Sequence, residues 1–130
     1  MEKLVSYDKM YYYRVAIIGS RTYYKKTAVQ EVINDLSLSG ELEVISGGAK
    51  GVDTWAEEHC KEKDIPYNVI RPVNPASKID YLYRNVEIIT LADEIFAFWD
   101  GKSKGTKFVI DYAKARGKKI TIYNYKGEII

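Results

Sequence analysis

The sequence predicts an α/β protein, a Rossmann-like three-layer sandwich on a parallel five-stranded sheet in the order 3-2-1-4-5. Three observations carry this expectation. Strand and helix patterns alternate along the whole of the 130 residues, with no linker, repeat or low-complexity stretch between them. Two segments, Val15-Ala16-Ile17-Ile18 and Ile95-Phe96-Ala97-Phe98, are short continuous apolar runs, as strands buried on both faces must be. Glycines gather where strand patterns end, at Gly19, at Gly47-Gly48, and at Gly101 and Gly105.

The elements follow in order. Val15 to Ile18 forms the first strand and stops at Gly19. A helical pattern puts Ala28, Val29, Val32, Ile33 and Leu36 on one face, with Gly40 as its stop signal. Leu42 to Ile45 is the second strand, broken by Ser46-Gly47-Gly48. The next helix carries Val52, Trp55, Ala56, His59 and Cys60 on one stripe, which makes His59 and Cys60 packing residues. Tyr67 to Ile70, between Pro66 and Pro72, mixes polar and apolar residues as an edge strand does. Asn74-Pro75 opens a long helix with Ile79, Leu82, Tyr83, Val86 and Ile89 toward the core. The apolar run from Ile95 to Phe98 is the fourth strand. A last helix runs from about Thr106 to Arg116 and closes at Gly117, and Ile120 to Tyr123 is the fifth strand. Strand–helix–strand units at this spacing wind right-handed. The two most apolar strands, first and fourth, belong at the centre, so the topological switch lies between them.

Composition bounds the function. A chain of 130 residues fits a single domain, 1–130, with residues 1–12 a short N-terminal extension. It is 46% hydrophobic and 29% charged, within the range of ordinary globular proteins. The net charge of +2 is too small to demand a polyanionic partner. One cysteine and one histidine exclude an intrachain disulfide, a thiolate zinc cluster, and Ser-His-Asp or Cys-His catalysis within one subunit. No metal site is expected. Met1 to Ser6 lacks an apolar core of signal-peptide length and no run approaches a membrane span, so the expectation is a cytoplasmic protein without membrane contact. Twelve tyrosines are the compositional oddity. Tyr11, Tyr12 and Tyr13 lead into the first strand, while Tyr23, Tyr24, Tyr81, Tyr83 and Tyr112 fall on expected helices. Core edge or subunit interface is their ordinary use.

Chemistry concentrates in the loops at the switch point, where ligands bind in such sheets. Ser46-Gly47-Gly48-Ala49-Lys50-Gly51-Val52-Asp53 passes from a strand into a helix. Glycines there allow a tight turn and close approach of backbone amides, and the helix start offers unpaired N–H groups to an anion. Lys50 adds charge and Ser46 a hydroxyl. Asp53 can bond loop amides or a ribose hydroxyl, or merely stabilise the first turn of the helix. Asp100-Gly101-Lys102-Ser103-Lys104-Gly105-Thr106 repeats the design after the fourth strand. Gly19-Ser20-Arg21 supplies a guanidinium suited to bidentate oxyanion contact, although Ser20 or Thr22 equally suits the N-cap of the first helix. By spacing alone Arg84-Asn85 reads as a solvated helix face.

These segments together resemble the SLOG superfamily, the Rossmann-like group that includes the LOG phosphoribohydrolases and the DNA-processing protein DprA. The resemblance runs from Val15 to Tyr123 and is closest to the short stand-alone YspA-like branch. It implies homodimers and a nucleotide-derived ligand, and it promotes Arg84, with Asn85, to the binding set. It also implies a departure from catalysis. LOG enzymes read Pro-Gly-Gly-x-Gly-Thr-x-x-Glu, whereas Val109 stands here at the third position beyond Thr106 and Trp99-Asp100 replaces Pro-Gly. Asp111 lies farther along and is expected to turn away.

The leading expectation is a sensor or sequestering module for an ADP-ribose-like, cyclic or mononucleotide ligand, with no certain cofactor. A nucleotide N-glycosidase using Asp53 or Asp100 is the second reading. DprA-like binding of single-stranded DNA, with Lys102, Lys104 and Lys107 on the backbone, is the third.

Overall fold

The computed structural model describes residues 12–130, so the expected N-terminal extension, except Tyr12, lies outside the described residues. Five strands and four helices alternate as anticipated: β1 (Tyr13–Gly19), α1 (Lys26–Ser37), β2 (Leu42–Ser46), α2 (Val52–Lys63), β3 (Tyr67–Val69), α3 (Lys78–Leu91), β4 (Glu94–Phe98), α4 (Lys104–Ala115) and β5 (Lys119–Tyr123). The sheet order is β3-β2-β1-β4-β5, every named pair parallel.

Each central strand sends alternate side chains to opposite faces, as the two-residue period of a strand requires. From β1, Val15 and Ile17 enter the layer beneath α1 and α2, with Val29, Ile33, Val52 and Phe98. Ala16 and Ile18 enter the layer beneath α3 and α4, with Ile88, Ile95, Val109 and Ile110. Burial of both faces explains why β1 and β4 read as unbroken apolar runs. On the first face Tyr123 stacks on Phe98 with ring centroids 4.8 Å apart, and Tyr23 meets Phe98 edge-on at 5.5 Å.

Several local expectations change. Tyr23 and Tyr24 precede α1 rather than lying on it, and Tyr23 is fully in the core. The long helix starts at Lys78, with Ser77 as its N-cap, not at Asn74-Pro75. Asn74 instead closes a side-chain turn, its Oδ1 accepting the Ala76 amide at 3.0 Å, which competes with helical bonding. The face of α3 assigned to the core is largely wrong. Ile79, Leu82 and Tyr83 are 55%, 42% and 65% exposed; of that stripe Ile89 is buried as expected, and the other buried residues are Arg84 and Ile88. A buried arginine rotates the helix away from the orientation hydrophobicity alone would select. His59 and Cys60 are buried packing residues, His59 Nε2 meeting Asn34 Oδ1 at 2.8 Å across α1 and α2. No helix among the described residues is long and apolar enough to cross a membrane.

Candidate functional site

At the carboxyl ends of β1 and β4, where the chain leaves the sheet in opposite directions, a cleft of about 400 Å³ opens. That is the size range of small-molecule sites. Its walls come from four places: the loop after β1, the loop after β2 with the start of α2, one face of α3, and the loop after β4 with the start of α4.

Gly19 ends β1 beside Phe98 of β4. A Cβ on Gly19 would lie 2.6 Å from Val52 Cγ2 and 2.7 Å from the Phe98 carbonyl. This glycine lines the cleft, yet its first reason for being glycine is the close packing of α2 and β4 on β1. Ser20 is buried beneath the cleft rather than on its wall. Its Oγ accepts the Asp100 amide at 3.1 Å and meets Thr106 Oγ1 at 3.3 Å, tying the β1 loop to the β4 loop. Arg21 follows, exposed and facing the cleft.

The β2 loop differs from a simple phosphate cradle. Gly47 and Ala49 line the cleft, but their amides donate to Asp53 Oδ2 at 3.0 and 3.2 Å. The anion received by this loop is the chain's own carboxylate. Gly48 turns away from the cleft, with φ +75° and its missing side chain directed at Arg71. Ser46 is buried and donates to Glu57 Oε2 at 2.8 Å. Lys50 is exposed and Gly51 caps α2 with φ +86°. Neither borders the cleft, and neither does Gly101.

Arg84 and Asn85 correct the expectation of a solvated face. The Arg84 guanidinium is buried, donates through Nη1 to the Gly47 carbonyl and through Nε to Asn85 Oδ1 at 2.8 Å, and lies 5.2 Å from the Tyr81 ring centroid. Gly47 is thus gripped from both sides, its N–H by Asp53 and its C=O by Arg84. A Cβ there would meet Arg84 Nη1 at 2.6 Å.

The β4 loop is organised by Asp100. Its Oδ1 accepts the amides of Lys102 and Ser103, each at 2.8 Å, and its Oδ2 accepts the Thr22 hydroxyl. Ser103 caps α4 by accepting the Thr106 amide at 3.3 Å. Ser103, Gly105 and Thr106 present the positive end of α4 to the cleft, and nothing lies within 4 Å of the position a Gly105 Cβ would take.

The two carboxylates differ in environment. Burial pushes Asp53 up to about 6, against the lowering effect of the Ala49 amide, Arg84 and the Gly47 amide. Burial pushes Asp100 up as well, but bonds from Thr22, Ser103, Lys102 and Ser20 outweigh it and hold the group down to about 2. The Arg84 guanidinium is lowered from its ordinary value by burial, and Arg21 is close enough to add like-charge repulsion.

The cleft therefore collects Gly19, Arg21, Gly47, Ala49, Asp53, Arg84, Asn85, Asp100, Ser103, Gly105 and Thr106. Ile18, Tyr81, Leu82 and Ile88 also line it without a signal taken from the sequence, and Val109, which the resemblance sets at the LOG glutamate position, lines it too. The spacing Tyr81, Arg84, Asn85, Ile88 is one helical face and was a usable signal, hidden by the competing apolar stripe. Asp111 faces solvent, paired with Lys107 at 2.9 Å. Among the described residues no three His, Cys, Asp or Glu side chains converge to hold a metal ion.

Comparison with known proteins agrees with this architecture. The family described as DNA recombination-mediator protein A matches residues 7–70, just under half of the chain. Among solved structures, the fold is similar to DNA processing protein A (DprA) from Streptococcus pneumoniae, with TM-score 0.73 and 21% identity over 90% of this chain and 51% of that one. It is also similar to DprA from Helicobacter pylori, a structure concerned with that protein's single-stranded DNA binding mode. There the TM-score is 0.72 and the identity 24%, covering 85% and 65% of the two chains. The structural-genomics target TM1055 matches at TM-score 0.67 and 22% identity, covering 83% and 72%. The chain thus spans about half to two-thirds of the length of the two DprA proteins. No curated protein matches it. The shared feature is the Rossmann-like fold, which this chain has in common with the two DprA structures.

Proposed function

We propose that this DprA-like domain binds a phosphate-bearing nucleotide or nucleotide derivative in the switch-point cleft, and acts as a sensing or sequestering module as the YspA-like pattern implies. One observation carries the reading. Arg21 and Arg84 face the same small cleft, near enough for the charge of one to act on the other, with the N-terminal end of α4 on the opposite wall. Like charges held together in a partly desolvated cleft favour an anion between them. Asp100, held ionised, offers an acceptor to sugar hydroxyls at the rim, and Tyr81 and Leu82 offer apolar surface to a base or sugar face. Val109 occupies the wall where a LOG-type enzyme would carry its glutamate, which weighs against glycosidic cleavage.

Titration calorimetry with ADP-ribose, cyclic AMP and AMP tests the proposal. Binding is expected for at least one, weakened about ten- to a hundred-fold by Arg21→Ala. Absence of binding by all three at millimolar concentration overturns it. A second reading, single-stranded DNA, is favoured by the Helicobacter pylori match and by exposed Lys102 and Lys104 beside the cleft. Salt separates the two. Four phosphate contacts to a single strand would lose roughly fifty-fold in affinity between 50 and 200 mM salt, while a small ligand in the cleft responds mildly. The homodimer implied by the resemblance belongs to the same proposal, and sedimentation showing a 14.9 kDa species alone at micromolar concentration would overturn it.

A further inference from the structure

Asp53 is an unusual lining for an anion site. It is only 4% exposed, and its Oδ2 is committed to the amides of Gly47 and Ala49. Its other oxygen, Oδ1, makes no hydrogen bond among the described residues and is not sealed from solvent, and the residue borders the cleft. The charged groups around it are Arg84 from α3, Arg21 from the β1 loop, Asp100 from the β4 loop, and Glu57 one turn along α2 and bonded to Ser46. Arg71, at the end of β3, reaches the Gly48 carbonyl on the far side of the loop. Arg84 is the nearest countercharge; two of its five N–H donors go to Gly47 and Asn85, and none bonds Asp53.

A phosphate entering the cleft would gain from the two guanidinium groups and be repelled by ionised Asp53. Resting on the nucleotide reading, we propose that occupation of the cleft by a phosphate-bearing ligand is coupled to uptake of a proton by Asp53. Because Oδ2 is locked by two amide donors, the proton goes to Oδ1, which then becomes a donor to a phosphate oxygen instead of repelling it. The proton comes from solvent and no covalent bond changes. The position of Asp53 near 6 in the empty protein puts this exchange within the physiological range.

ADP-ribose is the suitable probe, because its pyrophosphate lacks the second phosphate ionisation that titrates near ~6 in monoesters. Calorimetry at pH 6.5 in buffers of low and high ionisation enthalpy reads the protons exchanged. If the ligand raises Asp53 by about one unit, roughly half a proton is taken up at that pH, and affinity falls about tenfold from pH 5 to pH 8. Asp53→Asn should bind with no buffer dependence and a flat pH profile, which also separates Asp53 from His59. Carbon-13 carboxyl spectra of the wild-type protein, labelled at aspartate, supply the same answer should the variant not fold. One aspartate should titrate near 6 and move upward with ADP-ribose. ADP-ribose binding with no proton exchange, or with proton release, refutes the coupling and leaves the nucleotide reading intact. Release would mean that a sugar hydroxyl donates to ionised Asp53. No binding of ADP-ribose at either pH 5.5 or pH 6.5 refutes both the coupling and the ADP-ribose-like ligand on which it rests.

Discussion

Gly19, at the end of β1, and Gly105, in the first turn of α4, both line the cleft, yet the structure assigns them opposite responses to the same change. Replacing Gly19 with alanine puts a methyl carbon 2.6 and 2.8 Å from two atoms of Val52 and 2.7 Å from the Phe98 carbonyl. Ordinary carbon–carbon contact lies near ~3.5–4.0 Å, so about an ångström must be found. Neither neighbour can yield it easily. Val52 is fully buried with a stiff β-branched side chain, and the Phe98 carbonyl accepts the Ser20 amide at 2.9 Å. Overpacking of this kind typically costs ~1–3 kcal/mol, and two rigid obstacles place Gly19→Ala at the top of that range, about 3 kcal/mol. For a domain of this size that is a fall in Tm of roughly 10 °C. Gly105→Ala meets nothing within 4 Å in the first turn of α4, with φ not in the left-handed region, so the gain in helix propensity should raise stability by ~0.4–1 kcal/mol. Urea denaturation of both variants beside the wild type is the assay. If Gly19→Ala loses less than about 1 kcal/mol, or Gly105→Ala is the more damaging, the packing role assigned to Gly19 is wrong.

The two arginines should separate in the same assay. Arg84→Ala leaves a buried cavity and removes the countercharge of Asp53, so it should cost ~2–4 kcal/mol, while exposed Arg21→Ala should leave Tm unchanged. Asp53 also shapes the pH dependence of stability. Its folded value of about 6 lies above the ordinary 3.8, so its contribution is complete below about pH 4 and is lost as pH rises through 6, about 3 kcal/mol in all. Denaturation from pH 4 to 7 should show that decline in the wild type and lack it in Asp53→Asn. Asp100 works in the opposite sense, since its lowered value stabilises the fold above about pH 4 and that support disappears as pH falls toward 2. Burial pushes the Cys60 thiol up to about 12, so a thiol reagent at pH 8 should react with unfolded protein and not with the native state.

The order of strands and the position of the cleft were legible in the amino-acid sequence because both follow from local signals. Apolar runs such as Val15–Ile18 and Ile95–Phe98 can be satisfied only by burial on both faces, which puts those strands at the centre and the switch between them. Glycines and polar residues at strand ends then mark the ligand side. The roles of individual residues inside the cleft were not legible, because they depend on partners far apart in the chain. Gly19 reads as a ligand-approach glycine until Val52 and Phe98 are placed beside it. The Gly47–Gly48 loop reads as an open anion cradle until Asp53 is seen to occupy two of its amides. On α3, periodicity favoured the stripe Ile79, Leu82, Tyr83 and Val86, and hydrophobicity offers no reason to bury an arginine. Burial of Arg84 was decided by the Gly47 carbonyl, 37 residues away, together with Asn85 and the nearby charge of Asp53. Periodicity reports what a helix would bury against a featureless apolar surface. Only the folded chain supplies the polar partners that make a different face the better one to bury.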